Sequence, residues 1–252
     1  MAAVFHIWMG KIPVLSGLVV QAGIAMSIAL AGTQARAQTT AVELELVLAA
    51  DASSSIRGGE FELQVGGYAA AFRDPGVIAA IERLGGNGMA VTFVHWSASF
   101  QQKVVVPWQL IRNSSDAHRF AKDIENQARR FTTFGTATGA AMEFAAERIR
   151  SNAYSGRRRV IDISSDERSN QGPHPVGRRE AIVESGITIN GLVVLDDEED
   201  LIGYFTDNVI GGKDAFVMAV EDYADFADAI KRKLIREIEA PLAGRLPASR
   251  SG

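Results

Sequence analysis

Apolar residues occur along this chain in two alternating patterns. Short continuous apolar runs, typical of strands covered on both faces, alternate with longer stretches in which apolar residues recur at helical spacing. The runs predict strands at 42–50, 89–95, 160–164, 187–195 and 215–220. A β-branched run at 103–107 predicts an edge strand, because it is brief and ends at a proline.

The stretches with helical spacing predict helices between these strands. They lie at 60–73, 77–84, 114–129, 138–150, 176–185 and 223–238, with a short helical turn from Leu201. Alternation of strands and helices implies right-handed crossovers that place helices on both faces of one sheet. We therefore predict an α/β fold: a three-layer, doubly wound domain with a mostly parallel central sheet and one short antiparallel edge strand.

The amino-terminal 37 residues have the three parts of a secretory signal peptide. Lys11 supplies positive charge, 14–31 is mostly apolar, and Ala35-Arg36-Ala37 is a small-x-small cleavage site. Cleavage would leave a periplasmic or secreted protein without a membrane span. The alternative is an uncleaved membrane anchor, because the apolar stretch is nearly long enough to cross a bilayer.

The remaining chain is predicted to form one domain over 38–240, followed by a flexible tail at 241–252 that contains two prolines and two glycines. The absence of cysteine excludes disulfides and thiol chemistry. Loss of Lys11 and Arg36 lowers the count of basic residues from 26 to 24, against 30 acidic ones. This negative balance disfavours nucleic acid as a partner.

A cluster of oxygen-bearing side chains follows the first predicted strand. Asp51, Ser53 and Ser55 come directly after an apolar run and before a predicted helix. Such a turn lies at the carboxyl edge of an open α/β sheet, where ligands bind. One carboxylate and two hydroxyls suit a hard cation such as Mg²⁺, although helix capping is the more common role of such a cluster when it is taken alone.

Two other positions favour the metal interpretation. Thr136 lies in Gly135-Thr136-Ala137-Thr138-Gly139, just before a predicted helix, and Asp166 closes the strand that begins at Val160. Because neighbouring parallel strands share one carboxyl edge, we expect Asp51 and Asp166 to converge there, with Thr136 approaching from the loop above. The joint pattern predicts a divalent-cation site.

These three elements resemble the metal-ion-dependent adhesion site of von Willebrand factor A domains. The resemblance covers about 42–239, and the chain is similar to a bacterial exported group of unassigned function within that superfamily, in the stretches 46–51, 105–108, 159–162, 186–192 and 208–212. It implies the Rossmann-like fold of that superfamily and a non-enzymatic role in binding another protein.

The resemblance also implies a ligand set. Ser53, Ser55 and Thr136 would ligate through hydroxyls, and Asp51 and Asp166 would act directly or through water. Mg²⁺ is the expected ion, with Mn²⁺ and Ca²⁺ as alternatives. The partner is expected to present an Asp or Glu carboxylate that completes the coordination shell.

The chain departs from the pattern of the superfamily at two positions. Ser54 stands where glycine is more common, and Glu167 stands where many relatives follow the aspartate with glycine. Glu167 either points to solvent or supplies an extra carboxylate that weakens partner capture. His174, in a turn-rich loop beyond Asp166, is a candidate rim residue. Two other functions stay open: a metal-assisted hydrolase with His174 or Glu167 as base, and a structural domain with a degenerate site.

Overall fold

The computed structural model describes residues 39–128, 131, 134–195, 198 and 200–240. The predicted signal peptide and carboxy-terminal tail lie outside the described residues. In the described part, six strands form one sheet: β1 (Thr40–Asp51), β2 (Met89–Trp96), β3 (Gln102–Ile111), β4 (Tyr154–Ser165), β5 (Thr188–Val194) and β6 (Val217–Val220). Their order is β3-β2-β1-β4-β5-β6. All neighbouring pairs are parallel except β2 and β3.

Seven helices of the described residues cover the two faces of this sheet. They are α1 (Gly58–Arg73), α2 (Pro75–Glu82), α3 (Ser114–Glu125), α4 (Thr138–Arg150), α5 (Pro175–Glu184), α6 (Leu201–Asn208) and α7 (Phe226–Glu239). Short 3-10 turns lie at Gly85–Asn87 and Tyr223–Asp225. None of the helices in the described ranges is both long and apolar enough to cross a membrane.

The side chains of β1 alternate between two hydrophobic cores. Leu46 and Leu48 pack in the core that contains α1, α2, α3 and α7, whereas Val47 and Ala49 pack in the core that contains α4, α5 and α6. A strand with apolar residues on both faces must be covered on both faces. This arrangement confirms the predicted three-layer, doubly wound fold.

Element boundaries differ most from the prediction in three places. The antiparallel edge strand does not end at Pro107 but continues to Ile111, because a register shift opposite Phe93 lets an edge strand accommodate proline. Helix α3 ends at Glu125 rather than at 129. Strand β4 begins at Tyr154, six residues before the predicted start, because its polar first half pairs with the beginning of β1.

Helix α7 is tied to the sheet by a buried group of charged and polar side chains, which we call the lysine cluster: Asp162, Asn190, Lys233 and Glu237. Lys233 Nζ lies 2.6 Å from Asp162 Oδ1 and 2.6 Å from Glu237 Oε1. Asn190 Nδ2 donates to Glu237 Oε1 at 2.9 Å. All four residues are buried. The ammonium group of Lys233 is the cation that this cluster holds within the fold.

Candidate metal site

Asp51 is the last residue of β1, and its carboxylate is held in one orientation. Oδ1 accepts a hydrogen bond from the Ser53 backbone N–H at 2.8 Å. This contact to the backbone two residues on is an Asx-turn, which aspartate commonly forms where a strand ends. Oδ2 accepts from Ser165 Oγ at 2.5 Å. Gln64 of α1 donates to the Asp51 carbonyl at 3.1 Å, which fastens the strand end to the first helix.

The two serine hydroxyls lie beside this carboxylate. Ser53 Oγ is 2.9 Å from Ser55 Oγ. Ser55 Oγ is also 3.3 Å from Asp166 Oδ1 and 3.2 Å from Glu167 Oε1. A hydroxyl carries one proton, so Ser55 can donate to only one of these acceptors at a time. Ser53 can donate to Ser55, which leaves one Ser55–carboxylate contact without a serine proton, and a bound cation would stabilise these closely spaced oxygens.

Thr136 reaches the same point from the loop that precedes α4. Its backbone N–H donates to Asn170 Oδ1 at 2.9 Å, and the Asn170 N–H donates back to the Thr136 carbonyl at 2.9 Å. The Thr136 hydroxyl donates to Glu167 Oε1 in a short contact. Gly135 has φ 123°, and a Cβ there would collide with the Gln171 side chain, so this position requires glycine.

Six residues thus meet at the carboxyl edge of the sheet, and we call them the carboxyl-edge cluster: Asp51, Ser53, Ser55, Thr136, Asp166 and Glu167. Asp51, Ser53 and Thr136 are buried, while Asp166 and Glu167 are half-buried. In the described part of the chain, none of the three carboxylates forms an ion pair with a lysine or arginine.

The negative charges of this cluster act on one another. Burial raises the pKa of Asp51 to about 6, with a further contribution from Glu167, although hydrogen bonds from Ser165 and Ser53 oppose the rise. Burial also raises the pKa of Asp166 to about 8, and the charges of Asp51 and Glu167 add to the effect. Ionisation of Asp51 and Asp166 together therefore has a free-energy cost that a bound cation would offset.

The donor set fits a hard divalent cation. Within the described ranges, no three His, Asp or Glu side chains are placed to hold a metal by themselves, so any such site depends on the hydroxyls of Ser53, Ser55 and Thr136. Hydroxyl and carboxylate oxygens are the ligands that Mg²⁺ accepts, usually with one or two carboxylates and retained waters. The chemistry of the cluster matches that requirement.

His174 does not join this cluster. It is exposed, and it immediately precedes α5. Among the described residues, no hydrogen bond links its side chain to the six residues of the cluster. Ser165 and Asn170 do belong to the site, and sequence reasoning missed both. Ser165 could have been found, because it directly precedes Asp166 at the end of a strand.

The loops around the cluster are joined by Gln171. Its Oε1 accepts from the backbone N–H and the hydroxyl of Ser99, each at 3.3 Å, and its Nε2 donates to the Phe134 carbonyl at 3.3 Å. Phe134 and Phe100, which follows Ser99, expose 87% and 81% of their surface. Two large aromatic side chains therefore stand in solvent on the loops that surround the site.

The fold is that of von Willebrand factor A domains. Proximal thread matrix protein 1 from the mussel byssus matches with a TM-score of 0.59 and 15% identity, over 78% of this chain and 48% of that chain. This chain thus spans about half the length of the mussel protein. A structure of that protein with a zinc-occupied MIDAS motif matches with a TM-score of 0.54 and 14% identity, over 78% and 48% of the two chains.

Two bacterial proteins match as well. The vWF domain of the type V pili tip protein Mfa5 from Porphyromonas gingivalis has a TM-score of 0.55 and 10% identity, over 79% of this chain and 97% of that one. A von Willebrand factor type A structure from Catenulispora acidiphila has a TM-score of 0.51 and 16% identity, over 78% and 43%. At these identities the similarity establishes the fold.

The family of this chain follows from its sequence. No curated protein matches it. The family described as Protein of unknown function (DUF1194) matches residues 41–242, which is most of the chain and contains every residue of the carboxyl-edge cluster. The chain therefore belongs to the DUF1194 family, whose fold here is that of a von Willebrand factor A domain.

Proposed function

We propose that this protein binds a divalent cation at the carboxyl-edge cluster and uses this site to bind another protein. The observation that carries the proposal is the convergence of three carboxylates and three hydroxyls from separate loops, without a described ion pair. Mg²⁺ is the proposed native ion, and Mn²⁺ and Ca²⁺ are alternatives. Ser53, Ser55, Thr136, Asp51 and Asp166 would hold it, directly or through water.

The fold and the relatives support this proposal. The mussel byssus protein has been seen with zinc in its MIDAS motif, and Mfa5 is a pilus tip protein. A bound cation would supply positive charge at the centre of a surface whose protein groups are acidic, and partner oxygens make strong contacts with such a centre. Phe100 and Phe134 would add apolar contact area around it, as interface aromatics do.

A binding role agrees better with the site than hydrolysis does. A metal-assisted hydrolase needs a general base within hydrogen-bond reach of the reacting group. The exposed His174 has no described hydrogen bond to the cluster, and Glu167 is engaged by two hydroxyls. We therefore propose a non-enzymatic module. We propose that the module acts in the periplasm or outside the cell, because a secretory signal peptide is predicted at 1–37.

Calorimetric titration with Mg²⁺ and Mn²⁺ tests the metal claim. The wild type is expected to bind one ion, Asp51→Ala is expected to lose binding, and Glu180→Gln, an exposed acid on α5, serves as the matched control. Partner capture from envelope extracts should then require metal and should fail with Asp51→Ala. A wild type that binds neither ion, or an Asp51→Ala variant that binds as the wild type does, rules the proposal out.

A further inference from the structure

The side chain of Glu167 points into the carboxyl-edge cluster rather than into solvent. Its Oε1 accepts from Ser55 Oγ at 3.2 Å and from the Thr136 hydroxyl in a short contact. One glutamate oxygen therefore lies between two of the three hydroxyls that the proposed function assigns to the cation.

The backbone of Glu167 is fixed as firmly as its side chain. Ser165 Oγ lies 3.2 Å from the Glu167 carbonyl oxygen and 3.5 Å from its nitrogen, and the same hydroxyl donates to Asp51 at 2.5 Å. The following residues are held as well, because the Arg168 N–H donates to Glu198 at 2.9 Å. The position of the Glu167 carboxylate is thus built into the loop.

A third carboxylate changes the charge that a partner meets. Asp51 and Asp166 alone balance the two positive charges of a divalent cation, whereas Asp51, Asp166 and Glu167 together exceed them by one. A site with that surplus repels a further carboxylate, and like-charge contacts are a common means of rejecting partners. Glu167 Oε1 lies beside the Ser55 and Thr136 hydroxyls. An incoming carboxylate would need to place its own oxygen there to reach the cation.

We infer that Glu167 is a resident ligand of the cation, and that it holds the position which a partner's carboxylate would otherwise occupy. The inference rests on the proposed function, since it concerns the same ion. It implies that the metal binds without a partner, and that a carboxylate-bearing partner binds only by displacing Glu167. A partner of this protein therefore approaches the metal with a neutral oxygen, such as an amide carbonyl or hydroxyl.

Mn²⁺ is the probe for this inference, because the number of waters on Mn²⁺ can be counted by electron paramagnetic resonance in ¹⁷O-labelled water. Glu167→Ala is expected to bind Mn²⁺ at least about tenfold more weakly, since loss of even an outer-shell partner costs about 10–100-fold. The bound ion should gain one water, and added acetate should bind to the variant but not to the wild type. Glu167→Gln should give an intermediate affinity, and Glu180→Gln should behave as the wild type.

The outcomes separate this inference from the proposed function. If the wild type binds Mn²⁺ and Glu167→Ala binds it equally well with the same number of waters, Glu167 is not a ligand and only the inference fails. If the wild type binds no Mn²⁺, the proposed function fails with it. Thermal unfolding of each variant distinguishes a loss of affinity from a loss of the fold.

Discussion

The two acidic clusters of this domain, one fully buried and one partly buried, solve the same electrostatic problem in different ways. In the lysine cluster, Asp162 and Glu237 share Lys233, whose Nζ is 2.6 Å from each carboxylate. In the carboxyl-edge cluster, Asp51, Asp166 and Glu167 have hydroxyl neighbours, and none forms an ion pair within the described residues. A buried charge is tolerated only when it is paired or bound to a metal. The first cluster holds a cation of its own, whereas the second offers its carboxylates to a cation from solution.

The position of each cluster agrees with this difference. Lys233, Asp162 and Glu237 are inaccessible to solvent or nearly so, and they join α7 to the middle of β4. The carboxyl-edge cluster is buried at Asp51 but half-buried at Asp166 and Glu167, so an ion can enter it. One cluster stabilises the fold, and the other is placed to bind a ligand.

Among the single substitutions, removing the internal cation should have the largest effect on stability. Lys233→Met leaves two buried carboxylates uncompensated, and breaking a buried pair in this way costs about 3–5 kcal/mol. Lys231→Met is the matched control, because Lys231 lies two residues away on the same helix, is partly exposed and pairs with Asp74. Urea denaturation measures both. Equal stability of the two variants would mean that Lys233 does not hold the fold together.

Adding Mg²⁺ should stabilise the protein through the carboxyl-edge cluster alone. At a free Mg²⁺ concentration of about 100 times its Kd, the free energy of unfolding should rise by about 2.7 kcal/mol. Asp51→Ala should lose this gain. Asp162→Asn changes the lysine cluster and should keep the gain even though the variant is less stable. A gain that disappears in both variants would contradict the separation of the two clusters.

The stability of the metal-free protein should fall as the pH rises from about 4 to about 8. Asp51 and Asp166 have pKa values raised to about 6 and about 8, so the folded state binds protons more tightly than the unfolded state does. Their stabilising contribution is complete below pH 4 and is lost through that window, by up to about 1.4 kcal/mol per pH unit for each group.

Unfolding at several pH values with and without Mg²⁺ measures this effect. The pKa of Asp162 is also raised to about 7, by burial and by Glu237, so part of the slope belongs to the lysine cluster. Saturating Mg²⁺ and the variant Asp166→Asn should each reduce the share of this pH slope that comes from the carboxyl-edge cluster. If neither Mg²⁺ nor Asp166→Asn changes the pH slope, the carboxyl-edge cluster is not its source.

Ser165 should have the smallest effect of these, and it should act on the ion rather than on the fold. Ser165→Ala removes the hydroxyl that donates to Asp51 Oδ2 and lies beside the Glu167 backbone. Loss of such an outer-shell contact lowers metal affinity by about tenfold or somewhat more. Calorimetric titration with Mg²⁺ measures it, and Ser155→Ala, an exposed serine on the same strand, is the control. Unchanged affinity would mean that Ser165 does not orient Asp51.

The convergence of the first five site residues could be predicted from the sequence. Asp51 and Asp166 follow strands of a parallel sheet, and Thr136 precedes a helix, so topology alone brings them to one edge. The orientation of Glu167 could not be predicted, because it depends on the Ser165 contacts that fix the loop backbone. Hydrophobic patterning carries no information about such contacts.

The lysine cluster and the extension of the edge strand beyond Pro107 were not predicted, for related reasons. Lys233 lies on an amphipathic helix where a charged residue normally faces solvent, and only the packing of α7 against β4 places it inside. Pro107 indicates the end of a strand in most contexts, but the local shift in pairing between β2 and β3 accommodates it. Both outcomes are set by tertiary packing, which overrides the local signal.

The most direct test of a cation at the carboxyl edge is anomalous diffraction from crystals grown with Mn²⁺. We predict one strong anomalous peak within coordination distance of the Ser53 and Ser55 hydroxyl oxygens, with Glu167 turned toward it. No peak at this position when Mn²⁺ is saturating, or a peak only at surface acids elsewhere, would contradict the central claim.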